Sequence, residues 1–211
     1  MNLLVSALPP ESNAPQPITG TRTRAGNAMG RTRAAVIDGA QRAVEKYGSR
    51  KTTMADVAAL AGVAKATLYN HFRTKRDVYA ATVEAEVESL GAECSRIAAD
   101  DGLAAALARA AERIATHPAV RRVAVDEPAV LAKLQTPADG GGWAAARTAI
   151  TSTLTAARRP SGPAEVESVL RWLVSFLGAP GGSEEMSTGA RVLATGLAQS
   201  GTLPGWQTAH Q

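Results

Sequence analysis

The run TTMADVAALAGVAKATLYNHF, Thr52 to Phe72, constrains the fold more than any other part of this chain. It holds two apolar-patterned segments separated by one glycine. Each segment is too short to make a stable helix alone, so each must bury its apolar side against a neighbour. Thr53 is a good N-cap, and Asp56, three residues on, completes a short capping box. Val57, Ala58 and Ala61 make the inner face of a two-turn helix. Gly62 permits the left-handed backbone that turns the chain, and Val63 fills the corner. A second short helix starts at Ala64 or Lys65, with Leu68 and Phe72 on its buried side. The small Ala58 allows close approach. This spacing predicts a helix-turn-helix.

With Leu68 and Phe72 inside, Lys65, Ala66, Thr67, Tyr69, Asn70 and His71 fall on the outer face of the second helix. An α-helix fits the major groove of DNA. Asn pairs with adenine in bidentate fashion, Lys and His reach guanine, and a threonine methyl meets the thymine methyl. Tyr69 and Thr67 can equally reach phosphate oxygens. The plainer alternative is the solvated side of an ordinary helical hairpin. Charge weighs toward the first reading: residues 1–76 hold 12 Lys+Arg against 4 Asp+Glu, and the remainder 11 against 15. A basic front and an acidic back suit a protein whose front meets a polyanion.

Upstream, helical periodicity begins at Arg31, with Val36, Ile37, Ala40, Val44 and Tyr47 on one face and Gly48 as the stop. Residues 1–29 lack periodicity and read as a disordered basic arm, with the arginines of TRTR (Thr21 to Arg24) close to the fold. Aromatics make up only 4% of the chain. Abundant alanine and few strand formers favour packed helices over sheets. The single cysteine, Cys94, excludes an intramolecular disulfide and fits a cytoplasmic location. No apolar run approaches the length of a membrane helix.

The span from Arg31 to about Tyr79 resembles the DNA-binding domain of the tetracycline-repressor (TetR) family. The likeness runs through TTMADVAALAGVAKATLYNHFRTKRDVY. Family members show a Thr before the second helix, an I/V-A-x-x-A-G-V core, then S-x-G-T-L-Y-x-H/Y-F, and K-x-x-L/V at the fourth helix. This chain departs at Ala64, where serine is common, and at Ala66, where glycine is common. The resemblance implies a phosphate contact for Thr53, backbone contacts on either side of the groove for Tyr69 and Lys75, and base-edge positions for Ala66, Thr67, Asn70 and His71. It implies an all-α protein: a three-helix DNA-binding domain over 30–76, a larger helical ligand-binding and dimerisation domain over 77–203, and a flexible tail at 204–211.

In that larger part, breaks at 100–102, 136–142, 159–163 and 178–182 separate helices expected over 75–99, 102–116, 118–134 (broken at Pro128), 142–158, 163–178 and 184–200. By resemblance the last two helices pair with their copies in a homodimer, here through Val169, Trp172, Leu173, Phe176, Leu193 and Leu197; for any one of these residues, intramolecular core is the better-supported alternative. A twofold dimer also makes physical sense, because one recognition helix reads too few base pairs. The middle helices, again by resemblance, enclose a small-molecule effector, with Leu90, Cys94, Leu107 and Trp143 as candidate walls; plain core packing is the alternative for each. No P-loop, dinucleotide fingerprint or nucleophile elbow occurs, and His71, His117 and His210 lack metal-ligand spacing. The expectation is a transcriptional regulator without enzymatic activity, metal or cofactor. Its partners are operator DNA, an effector and its own copy. The rivals are a non-specific architectural DNA binder and a helical small-molecule-binding protein with no DNA role.

Overall fold

The computed structural model describes residues 20–138 and 141–199. Ten helices, and no strand, occur among the described residues: α1 Gly20–Tyr47, α2 Met54–Ala61, α3 Lys65–His71, α4 Lys75–Asp100, α5 Leu103–Thr116, α6 Pro118–Asp126, α7 Pro128–Leu134, α8 Gly141–Ala156, α9 Pro163–Gly178 and α10 Ser183–Gln199. The all-α reading holds, and the Pro128 break separates α6 from α7. One boundary differs. α1 begins at Gly20 rather than Arg31, so the TRTR run lies on helix. The expected arm before residue 20 and tail at 204–211 lie outside the described residues.

Two apolar cores form. The smaller takes Val36, Ala40 and Ala43 from α1, Val57 and Ala58 from α2, Leu68 and Phe72 from α3 and its C-cap, and Val78 and Ala81 from α4. The larger takes Cys94 and Ala98 from α4, then α5, Ile150 and Leu154 from α8, the inner face of α9, and Met186, Ala190 and Leu197 from α10. α4 therefore belongs to both cores, its first turns to one and its last turns to the other.

Two glycines mark close helix crossings. A Cβ on Gly39 of α1 would lie 2.6 Å from the backbone nitrogen of Ala61, which seats α2 against α1. A Cβ on Gly91 would lie 2.5 Å from the Ala149 Cβ, where α4 runs along α8.

Candidate nucleic-acid interface and ligand cavity

The helix-turn-helix is built as its sequence suggests. The Thr53 hydroxyl accepts from the Asp56 backbone N–H at 3.2 Å, and the Asp56 carboxylate accepts from the Thr53 N–H at 2.9 Å. Gly62 ends α2 at φ 66°, ψ 29°, with its N–H directed to the carbonyls of Ala58 and Ala59. Val63 N–H then reaches the Ala58 carbonyl at 3.0 Å. Leu68 is fully buried under α3, while Lys65, Ala66, Tyr69 and Asn70 are exposed and Thr67 and His71 are half-buried. The four exposed residues face solvent, and Thr67 and His71 flank the buried Leu68. Ala64, the N-cap of α3, has extended backbone and supplies no side-chain cap.

Two of the expected phosphate contacts have other partners. The Thr53 hydroxyl is committed to Asp56, to which it also donates at 2.6 Å. That bond, followed by the Thr53 backbone N–H, holds the Asp56 carboxyl below its usual range. Lys75 departs further from its expected role. Its ammonium donates to the carbonyls of Ser49, Arg50 and Thr52 at 3.1, 3.1 and 3.0 Å. The resemblance implied a DNA-backbone contact for Lys75; here its three donors hold the α1–α2 connection. Tyr79 adds a hydroxyl donating to the Ser49 carbonyl at 2.9 Å.

The same connection is held from the opposite side by a residue that sequence reading missed. Glu127, between α6 and α7, is 5% exposed. Its carboxylate accepts from the Ser49 hydroxyl at 2.6 Å and the Arg50 N–H at 2.9 Å. Burial alone raises its carboxyl, but the Ser49 hydroxyl, the backbone N–H groups of Arg50 and Ser49 and the Arg50 charge together bring it below its ordinary value. Glu127 lies far from Ser49 in sequence, and no local pattern pairs them.

A cavity of about 620 Å³ opens among α4 to α9 and reaches Gln41 and Val44 of α1. Leu90, Cys94, Leu107 and Trp143 all line it. Cys94 is buried, and burial pushes its thiol up to about 11, so it stays protonated and unreactive near neutral pH. The walls are otherwise aliphatic for the most part, with Val87, Leu103, Val120, Leu131 and Val169 among them.

The residues expected at a dimer interface do not share one surface. Val169, Leu173, Phe176 and Leu197 are buried in the chain's own core, and Val169 and Leu173 also line the cavity. The apolar periodicity of α9 and α10 faces inward and serves that core, the alternative expected for each single residue. Trp172 and Leu193 are half-buried, and Val192, outside the expected set, is 69% exposed.

These features define a class: a helix-turn-helix domain mounted on a helical body that surrounds a cavity. Residues 36–82 match the family described as bacterial regulatory proteins, tetR family. Two curated relatives from Pseudomonas putida, the HTH-type transcriptional regulator TtgR and the probable HTH-type transcriptional regulator ArpR, are each 43% identical over 53 residues. Those residues are 25% of this chain and 25% of each relative, so the chain spans about a quarter of the length of the curated relatives it matches. The likeness in fold reaches further. The TetR family repressor AlkX from Dietzia sp., implicated in biodegradation of n-alkanes, superposes with a TM-score of 0.63 at 21% identity, over 78% of this chain and 97% of that one.

Proposed function

We propose that this protein is a sequence-specific transcriptional regulator that binds a palindromic operator as a homodimer and is released by a small-molecule effector. The observation that carries the reading is the outer face of α3: exposed Lys65, Ala66, Tyr69 and Asn70 flanked by Thr67 and His71, on a helix whose other side is locked by Leu68. Ala66, Thr67, Asn70 and His71 read base edges; Lys65 and Tyr69 serve the groove and its phosphates. Thr53 contributes at the rim through the helix terminus it caps. The family match and the two relatives named as regulators point the same way.

A homodimer sets two α3 helices one turn of DNA apart, roughly 34–36 Å or a multiple of that. Exposed Val192 and half-buried Trp172 and Leu193 supply its apolar surface. The effector occupies the cavity, lined by α6 and α7, whose junction residue Glu127 holds the connection leading into α2. A ligand that favours another setting of α6 and α7 thereby favours another setting of the reading heads. By linkage, operator DNA weakens the effector by the same factor, typically about 5- to 150-fold.

The test is footprinting of purified protein on fragments it selects from genomic DNA at near-physiological salt. A protected palindrome is the expected result. Salt-sensitive binding without a preferred site favours an architectural DNA binder, and absence of binding removes the DNA role.

A further inference from the structure

Within the aliphatic cavity stands one cluster of ionisable side chains. Glu86, Arg113 and His117 all line it. Glu86 Oε2 lies 3.6 Å from Arg113 Nη2 and 3.5 Å from His117 Nε2. Arg113 Nη1 also donates to Glu93 at 3.1 Å, and Glu93 accepts from Arg109 Nε at 2.8 Å. Arg109 also meets Glu112 at 3.0 Å, so both guanidiniums of the cluster are already paired with carboxylates. One group is left over. His117 Nδ1 is buried and has no hydrogen-bond partner. In the neutral tautomer that directs its Nε2 proton toward the Glu86 carboxylate, Nδ1 is an acceptor. A buried acceptor left without a donor is costly, which makes it a place where a ligand gains affinity. His117 is also the residue at which α5 ends and α6 begins.

We propose that the cavity takes an uncharged, largely aliphatic molecule carrying a hydroxyl, and that His117 Nδ1 accepts the hydrogen bond from that hydroxyl. The proposal rests on the reading of the cavity as the effector site. It makes His117 a specificity residue, distinct from the apolar walls that supply most of the contact area. Anionic and cationic headgroups are disfavoured because the guanidiniums and carboxylates of the cluster are already paired with one another, inside walls that solvate charge poorly.

The experiment uses the full chain and four probes that share a dodecyl tail: dodecanol, dodecyl methyl ether, dodecanoate and dodecylammonium. Binding is measured by calorimetry below their aggregation concentrations. Dodecanol is expected to bind tightest, about tenfold more tightly than the ether, which offers no donor. That preference disappears in His117→Phe, which removes the acceptor, and persists in His117→Gln, whose side-chain carbonyl retains one. Thermal denaturation of both variants shows that the fold is intact. An unchanged preference for dodecanol over the ether in His117→Phe overturns the proposal, as does tightest binding of dodecanoate or dodecylammonium. If none of the four probes binds a protein that still binds DNA, the proposal of an aliphatic alcohol fails while the reading of the cavity as the effector site stands apart from it.

Discussion

A buried carboxylate needs donors, and Glu127 finds them across the boundary between the two cores. Removing its charge leaves the Ser49 hydroxyl and Arg50 N–H with a weaker acceptor, a loss of about 1–3 kcal/mol. Glu127→Gln should therefore lower the unfolding midpoint in denaturant near neutral pH. The carboxyl titrates lower in the folded chain than its ordinary value of 4.5. Its stabilisation is thus complete above that value and is lost as pH falls through the lower folded one. Unfolding followed from pH 6 to about pH 3 should show a steeper loss in the wild type than in Glu127→Gln; parallel curves would remove the latch. Lys75 belongs to the same scale. Since its three donors face carbonyls of its own chain, Lys75→Met should cost about 2 kcal/mol of stability while leaving the salt dependence of DNA binding unchanged. A slope shallower by about one phosphate would return Lys75 to the DNA.

At the scale of elements, α3 is short and has no side-chain cap at its N-terminus. Ala64 already has the extended backbone of an N-cap but no oxygen to offer. Ala64→Ser should stabilise the domain by about 1 kcal/mol, seen as slower amide exchange across α3. Gly91 makes the opposite case. Alanine in a helix interior ordinarily gains about 1 kcal/mol over glycine. Here the added methyl meets Ala149 at 2.5 Å, so overpacking of about 1–3 kcal/mol wins and Gly91→Ala should melt at lower temperature. The sequence shows Gly91 only as a helix weak point, because what crosses it comes from α8, far along the chain. The helix-turn-helix was legible for the contrary reason: Thr53, Asp56, Gly62 and Leu68 act over a few residues, where spacing carries the geometry. The cavity walls were guessed from size and apolarity alone. Glu86, Glu127 and His117 gave no local pattern, since their partners are joined only by tertiary packing.

At the scale of the whole molecule, the proposed dimer couples two reading heads to a cavity in each chain. Because Leu173 is in the monomer core, Leu173→Glu should unfold the chain and says nothing about assembly. Val192→Glu places its charge on an exposed position instead. It should shift sedimentation toward monomer and weaken operator binding with little change in helix content; a persistent dimer would move the interface to another face. The central claim is that α3 reads sequence, and the most direct measurement compares the sites that wild-type protein and Asn70→Ala select from a random duplex library at near-physiological salt. The account predicts a palindrome for the wild type, and for the variant the same palindrome with preference relaxed at one symmetric pair of base positions. An identical motif from both proteins, or no motif from the wild type, would contradict it.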